Sequence, residues 1–158
     1  MQAQLEEAHG ILVMTNGLRD QLMALLSDED LDFKLTGNPS LGEILRGLGD
    51  IQASYIHSFK TFQQDFSEHN TNPDLLNSVA KLQARFTQLD KALKAALDAI
   101  SEDDFQTKMV NRGNLFELSL GAQLHTFREA LLIECAKISV YLRAMGKELP
   151  QQWQAWIG

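Results

Sequence analysis

The chain has 158 residues, a formal net charge of −7 and one cysteine, and its basic residues are interspersed with acidic ones. This length predicts a single domain over residues 1–158, large enough to bury one hydrophobic core. The acidic balance and the lack of a basic block argue against nucleic acid and against an anionic membrane surface as partners. No apolar run approaches the roughly 20 residues that a membrane-spanning helix needs.

The N-terminus and the single cysteine favour a cytoplasmic protein. The opening segment MQAQLEEAHG has neither the basic region nor the continuous apolar region of a secretory signal. Cys135 has no second cysteine with which to form an intramolecular disulfide. A helical cysteine that follows Glu134 and lies near an apolar face is usually a packing residue, because a neighbouring carboxylate disfavours the thiolate. We therefore expect Cys135 to be unreactive.

The first predicted element is an amphipathic helix over residues 4–26. Its apolar residues recur at helical spacing, namely Ala8, Ile11, Leu18, Leu22 and Leu25. The segment 27–40, SDEDLDFKLTGNPS, breaks this period with acidic residues, a glycine and a proline. It therefore predicts a connecting loop.

The second predicted helix begins at a capping box formed by Ser40 and Glu43 and runs to about Phe66. Its buried face comprises Leu41, Leu45, Leu48, Tyr55, Phe59 and Phe62. A flank of small residues offers a surface for subunit contact and consists of Gly47, Ser54 and Ser58. Three polar residues are predicted to project away from the core, namely Arg46, Asp50 and His57. Asp50 and His57, seven residues apart, are two potential metal ligands on that face. No third candidate ligand accompanies them, so a metal site there is not expected.

The third predicted helix begins with Asn72 as its N-cap and Pro73 at its first position. Its apolar residues alternate in steps of three and four, namely Leu75, Val79, Leu82, Phe86, Leu89, Leu93, Ala96 and Ile100. Its basic side chains are mixed with acidic ones, which indicates a solvated face at Lys81, Arg85, Lys91 and Lys94. Ser101 with Asp104 then predicts a single helical turn before the turn NRGN at 111–114.

The longest predicted helix covers residues 115–146, with a capping box at Asn114 and Glu117 and a stop at Gly146. Its core-facing stripe comprises Leu120, Leu124, Phe127, Leu131, Ile138 and Met145. The same spacing places two polar residues on that side, namely Glu134 and Tyr141, while the opposite side carries His125, Glu129 and Arg143. An unpaired buried carboxylate is costly. We therefore expect Glu134 to be substantially buried, with a hydrogen-bond partner or a raised pKa.

The C-terminal tail after Pro150 predicts a short amphipathic turn with Trp153, Trp156 and Ile157 on one side. Either this tail docks on its own bundle, or it completes a subunit contact, since tryptophans are common interface anchors. Together with the small-residue flank of the second helix, the tail predicts self-association as a homodimer.

Four long amphipathic helices, with loops that are short except after the first helix, predict an all-α four-helix bundle with a short C-terminal helical turn. The segments SLGEILRGLGDIQ (40–52) and ISVYLRAMGKELPQQW (138–153) resemble the second and last helices of the DinB/YfiT-like family. The order of elements is similar over nearly the whole chain. This resemblance implies a DinB/YfiT-like bundle, and relatives of known activity include thiol-dependent transferases and maleylpyruvate isomerase.

The resemblance also implies a metal site. Relatives hold a divalent metal through one histidine on the second helix and two, four residues apart, on the last. The corresponding positions in this chain are Gly47, Ala130 and Glu134, so all three histidines are absent. One carboxylate does not make a site that needs about three protein ligands. We therefore expect neither a bound metal nor another cofactor.

Three functions are consistent with these patterns. The first is a metal-free binding or assembly module, supported by the loss of the three histidines beside an intact core pattern. The second is a metal-independent enzyme or small-ligand binder that uses the ancestral pocket, with Glu134 as a general base or anchor. A purely structural role for Glu134 is equally compatible with its position. The third is a metal-dependent transferase or isomerase, but its remaining candidate ligands point outward, namely His57, His125 and Glu129. Because a fold does not carry function without its site, we favour binding over catalysis.

Overall fold

A computed structural model describes the backbone of residues 2–157 and the side chains of residues 5–155. The four long helices are α1 (Gln2–Met23), α2 (Leu41–Thr61), α3 (Val79–Asp98) and α5 (Leu120–Ala144). Two short helices are α4 (Glu102–Thr107) and α6 (Gln151–Ile157). A small antiparallel hairpin of β1 (Met109–Asn111) and β2 (Glu117–Ser119) precedes α5. The prediction of an all-α bundle is confirmed.

Contacts between the long helices define an up-down-down-up order. The helices α2 and α3 run parallel, since Gly42 lies against Leu76 and Gln52 contacts Asp90. A Cβ atom on Gly42 would lie 2.5 Å from the Leu76 carbonyl oxygen, so only glycine permits this approach. The helix α5 runs antiparallel to α2, because the Tyr55 and Phe127 rings stack with centroids 4.7 Å apart while Tyr141 bonds to the loop before α2.

The long connection that sets this order differs from the prediction. Two successive parallel helices need a connection that returns along the bundle, and residues 62–78 between α2 and α3 provide it. This crossover contains a 3-10 turn (Pro73–Leu76) and begins beside the hairpin, where the Asn111 N–H donates to the Phe62 carbonyl at 2.9 Å. The segment after α1 is also long, with a 3-10 turn (Asp28–Asp32), but it joins antiparallel helices. The expectation that only the first loop is long was wrong.

Helix ends follow local capping chemistry, which confirms some predicted boundaries and corrects others. The capping box of Ser40 and Glu43 forms as predicted, and Gly146, with φ +76°, ends the last helix. Asn72 caps only the 3-10 turn, and α3 begins at Val79 with Ser78 as its N-cap. The helix α2 ends at Thr61 rather than near residue 66, because Phe62 adopts a left-handed conformation.

The last helix begins later than predicted. Three successive residues, Gly113, Asn114 and Leu115, have positive φ and form the hairpin turn, so the expected box with Asn114 as N-cap does not form. The next residues pair with β1, with Glu117 opposite Asn111. Ser119 is the N-cap, its hydroxyl accepting from the Ala122 N–H at 3.2 Å.

The core is one cluster of buried apolar side chains contributed by every long helix. It also encloses Cys135, whose thiol pKa burial raises to about 12, so the prediction that this cysteine is a packing residue is confirmed. A buried polar network joins three helices at Arg19 of α1, Gln52 of α2 and Asp90 of α3.

Candidate ligand-binding pocket

A cavity of about 690 Å³ opens between α2 and α5 and is closed at one side by the crossover after α2. Its apolar wall is formed by Ile44, Ile51 and Phe66. Its polar lining includes Asp50, His69, Glu134, Lys137 and Tyr141. Pockets that bind small molecules combine such apolar walls with a few converging polar groups, within the same range of volumes.

Two of the three residues at the family's metal positions line this pocket. Gly47 opens it, since a Cβ atom built there meets no other atom within 4 Å. Glu134 faces Gly47 across the pocket from α5. The third residue, Ala130, is half-buried and packs against the core, and it is not among the pocket's lining residues.

Glu134 is substantially buried and paired, as the helical spacing predicts. Its side chain is 13% exposed, and its carboxylate accepts a hydrogen bond from the Lys137 ammonium one turn further along α5. Lys137 is half-exposed, so it holds the carboxylate from the solvent side of the pocket. A carboxylate in this position can act as an anchor for a ligand cation or accept a proton from a bound ligand.

Asp50 lies in the pocket wall, which corrects the prediction that it projects away from the core. Its side chain is 10% exposed and pairs with the guanidinium of Arg85, which also donates to the Arg46 carbonyl at 3.0 Å. The parallel packing of α3 brings Arg85 onto this side of α2. Gly49 makes room for it, since a Cβ atom there would lie 2.7 Å from the Arg85 Nη1. Arg85 is therefore a buried ion-pair partner and not part of a solvated face.

His69 is a pocket residue that the sequence patterns do not reveal. It lies in the crossover, and its Nδ1 atom is 3.7 Å from the Asp50 carboxylate. The crossover is held here by the Asn70 N–H, which donates to Asp50 at 3.1 Å. Helical spacing has no bearing on a loop residue, and the composition of SEHNTNP indicates only a polar turn. His57, in contrast, is exposed as predicted.

Tyr141 closes the end of the pocket near the loop that precedes α2. Its hydroxyl donates to the Pro39 carbonyl at 2.7 Å, and its ring meets Phe33 edge-on with centroids 6.0 Å apart. The tyrosine is buried, and this hydrogen bond satisfies its polar atom. The end wall is therefore fixed by contacts that do not involve a ligand.

The residues present do not fit the family's metal. Gly47 has no side chain and Ala130 has no donor atom, so Glu134 is the single donor of the three positions. Across the residues that the structure describes, no three histidine, cysteine, aspartate or glutamate side chains converge as metal ligands would. A catalytic transition metal needs about three protein ligands. The described residues that line the pocket offer ion pairs, hydrogen bonds and apolar contact.

Two of the three small residues on the flank of α2 lie inside the bundle rather than on a contact surface. Ser54 and Ser58 are buried, and Gln123 of α5 donates to the Ser58 hydroxyl at 2.8 Å. Arg112 of the hairpin turn donates to Gln123 at 2.8 Å and completes this network. Ser54 is hydrogen-bonded to Gln64 and Asp65 of the crossover, and Ser58 is hydrogen-bonded to the last helix. These two residues are therefore not a surface for a second subunit.

The C-terminal tail docks on the bundle through Trp153. Its side chain is buried, and its indole N–H donates to the Leu18 carbonyl of α1 at 3.2 Å. The side chains of Trp156 and Ile157 lie outside the described residues. A subunit contact through the tail stays a prediction, and Trp153 is available to it only if the tail leaves α1.

The up-down-down-up order and the pocket between α2 and α5 define an all-α four-helix bundle with a cavity between two of its helices. The family model of the DinB superfamily matches residues 14–133, which is most of the chain. The chain therefore belongs to the DinB superfamily, as the resemblance of its second and last helices implies. No curated protein matches it. Across residues 2–157, no helix has both the length and the apolar character that crossing a bilayer requires.

Proposed function

We propose that this DinB-superfamily chain is a metal-free binding protein that holds a small organic ligand between α2 and α5. The observation that carries the proposal is the cavity of about 690 Å³ with Gly47 and Glu134 on facing walls. A glycine in place of a histidine widens the pocket, and a paired carboxylate supplies a polar anchor. The bundle then serves as a scaffold for recognition without a bound ion.

The charges around the pocket favour a ligand with a cationic group. Four carboxylates line it, at Glu43, Asp50, Glu68 and Glu134. Arg85 pairs with Asp50 and Lys137 pairs with Glu134. Among the described residues, neither Glu43, which is held in the capping box of α2, nor Glu68 forms an ion pair. Carboxylates near low-dielectric walls attract cations more strongly than they would in open water. An organic ammonium with an apolar group complements both the charge and the wall of Ile44, Ile51 and Phe66.

Three aromatic probes of matched size test this proposal by NMR chemical-shift mapping: 2-phenylethylamine, 2-phenylethanol and phenylacetate. The ammonium probe should shift the amide signals of residues 44–51 and 134–141, with weaker shifts from the alcohol and the weakest from the carboxylate. Glu68→Gln should weaken binding of the ammonium probe by about threefold, since it removes one unneutralised charge at the pocket. Equal binding of all three probes would contradict the charge argument.

A matched pair of glycine variants locates the binding site. In Gly47→Phe the new ring enters the pocket, because nothing lies within 4 Å of the position of its Cβ atom. Gly10 of α1 is equally unobstructed and lies on the exposed side of its helix, so Gly10→Phe is the control. We expect Gly47→Phe to abolish the amide shifts and Gly10→Phe to retain them. Retention of binding in Gly47→Phe would place the ligand elsewhere and overturn the proposal.

The proposal includes a cytoplasmic location and a homodimer. The unpaired thiol of Cys135 supports a reducing compartment, since proteins in oxidising compartments more often pair their cysteines. The dimer now rests on the tail that carries Trp156 and Ile157, because Ser54, Ser58 and Trp153 are buried within the chain. Light scattering at micromolar concentration tests the dimer, and a monomeric mass would remove it without affecting the pocket.

A further inference from the structure

A second cavity, separate from the pocket, lies between α1, α4 and the first turns of α5, and we call it the Arg128 groove. Its volume is about 420 Å³. Its apolar lining comprises Ala8, Ile11, Leu12, Phe105 and Leu124. Arg128 and Glu134 are six residues apart on α5, so at 100° per residue their directions differ by about 120°. The groove therefore faces α1, while the proposed ligand pocket faces α2.

Arg128 places a guanidinium without a partner in this apolar groove. Its Nε atom is buried and has no hydrogen-bond partner, and no carboxylate among residues 5–155 lies within ion-pair distance of it. The acid next to it in sequence, Glu129, is paired with His125, whose Nε2 lies 3.2 Å from the carboxylate. Arginine carries five N–H donors in a fixed fork, so this side chain has unused capacity for an anion.

The other arginines packed into the bundle show how unusual this arrangement is. Arg19 is paired with Asp90, Arg85 is paired with Asp50, and Arg112 donates to Gln123. Each of these guanidinium groups has a partner in the fold, as buried charged groups normally do. Arg128 is half-buried, and its buried Nε atom lacks such a partner at the point where a cavity opens beside it.

We infer that the Arg128 groove binds a small amphipathic carboxylate, whose carboxylate pairs with Arg128 and whose apolar part packs against Ile11, Leu12 and Leu124. Charge complementarity identifies the anionic group, since a carboxylate matches the planar fork of an arginine. The lining identifies the apolar part, because Ile11, Leu12 and Leu124 form an aliphatic wall between α1 and α5. The polar groups of the groove are supplied by His125 and Arg128. The Arg128 groove prefers an anionic ligand, whereas the pocket between α2 and α5 prefers a cationic one. The two proposals can therefore be tested independently.

Calorimetric titration with octanoate, octanol and octylamine tests this inference, since the three probes share one apolar chain. With Gly47→Phe, which blocks the pocket proposed to take an ammonium ligand, octanoate should bind with a stoichiometry of one and at least about tenfold more tightly than octanol, with octylamine the weakest. Arg128→Gln should weaken octanoate binding by about tenfold or more and leave the affinity for octanol unchanged. Equal affinity for octanoate and octanol, or no octanoate binding up to about 10 mM, would overturn the inference.

Three further variants separate a binding role of Arg128 from a structural one. Gly121→Leu fills the groove, because a Cβ atom at Gly121 lies in open space except for Phe105 at 3.9 Å, so this variant should abolish octanoate binding. Lys91→Gln on α3 removes an exposed positive charge away from the groove, and Gly47→Phe blocks the pocket between α2 and α5. Both should leave octanoate affinity unchanged.

The melting temperature of Arg128→Gln should equal or exceed that of the wild type, since an unpartnered buried donor is removed. A lower melting temperature with unchanged octanoate affinity would make Arg128 a structural residue.

Discussion

Asp90→Asn is expected to destabilise the bundle because it removes the charge that compensates the most deeply buried guanidinium in the core. Arg19 is 2% exposed, lies 4.3 Å from the centroid of the Phe86 ring, and donates to Asp90 through Nη2 at 2.8 Å. Burial lowers the pKa of Arg19, but the hydrogen bond and the charge of Asp90 outweigh it and hold this pKa above its usual value. The guanidinium is therefore charged at every accessible pH.

Asp90 also organises neighbouring amides, which sets the magnitude of the effect. Asn16 and Gln52 both donate to its Oδ1 atom, at 2.9 and 2.7 Å, so an asparagine there would present an amide to donors from two other helices. Removing one partner of a buried pair costs about 3–5 kcal/mol. Because Asp90 is 33% exposed and Asp20 also contacts Arg19, we expect about 2 kcal/mol of lost unfolding free energy.

Urea denaturation measures this loss, and α3 itself supplies a matched control. Asp98 pairs with Lys94 on the exposed side of the same helix, and its side chain is 62% exposed. Asp98→Asn should therefore change the free energy of unfolding by no more than about 0.5 kcal/mol. For Asp90→Asn, a loss of about 2 kcal/mol lowers the midpoint by about 1 M urea. The reasoning is refuted if the two variants unfold at the same urea concentration.

Three further predictions concern Glu134, Cys135 and metal. Glu134→Gln keeps an acceptor for half-exposed Lys137, so the free energy of unfolding measured by urea denaturation should change by no more than about 0.5 kcal/mol. A loss of several kcal/mol would indicate a charge-dependent network. Burial raises the pKa of the Cys135 thiol to about 12, so the unfolded state ionises first. The contribution of this shift to the free energy of unfolding is fully present below about pH 9. Above that pH the free energy of unfolding falls by up to about 1.4 kcal/mol per pH unit, and Cys135→Ala should reduce this slope. Elemental analysis after incubation with zinc and dialysis should find far less than one zinc per chain, whereas one zinc lost in Glu134→Gln would contradict the ligand count.

Periodicity was sufficient to predict the helices and most of the core. The apolar stripes of α2 and α5 are buried where the spacing of three and four residues places them, and Ser40 and Gly146 mark helix ends through capping chemistry. Helical periodicity does not predict the start of α5, because Glu117 pairs with β1 instead of joining the helix. This strand pairing is a non-local contact. Local propensity cannot predict this pairing.

The pocket could be predicted only in part, because two of its walls depend on packing between helices. Glu134 and Gly47 were identified from helix register and resemblance, and both line the cavity. The helical wheel places Asp50 on the wrong side, because it does not show that α3 covers that face of α2 with Arg85. His69 and Phe66 come from the crossover, whose path is set by the parallel order of α2 and α3. The Arg128 groove has no sequence signature, since an arginine on a helix is ordinarily solvated.

Calorimetric titration of 2-phenylethylamine in the presence of EDTA, and again with added zinc, tests most directly whether the pocket works without metal. We expect one site per chain with the same affinity in both conditions, because Asp50, Glu134 and the apolar wall are part of the fold. Binding that appears only when zinc is added, with about one zinc retained per chain, would contradict it.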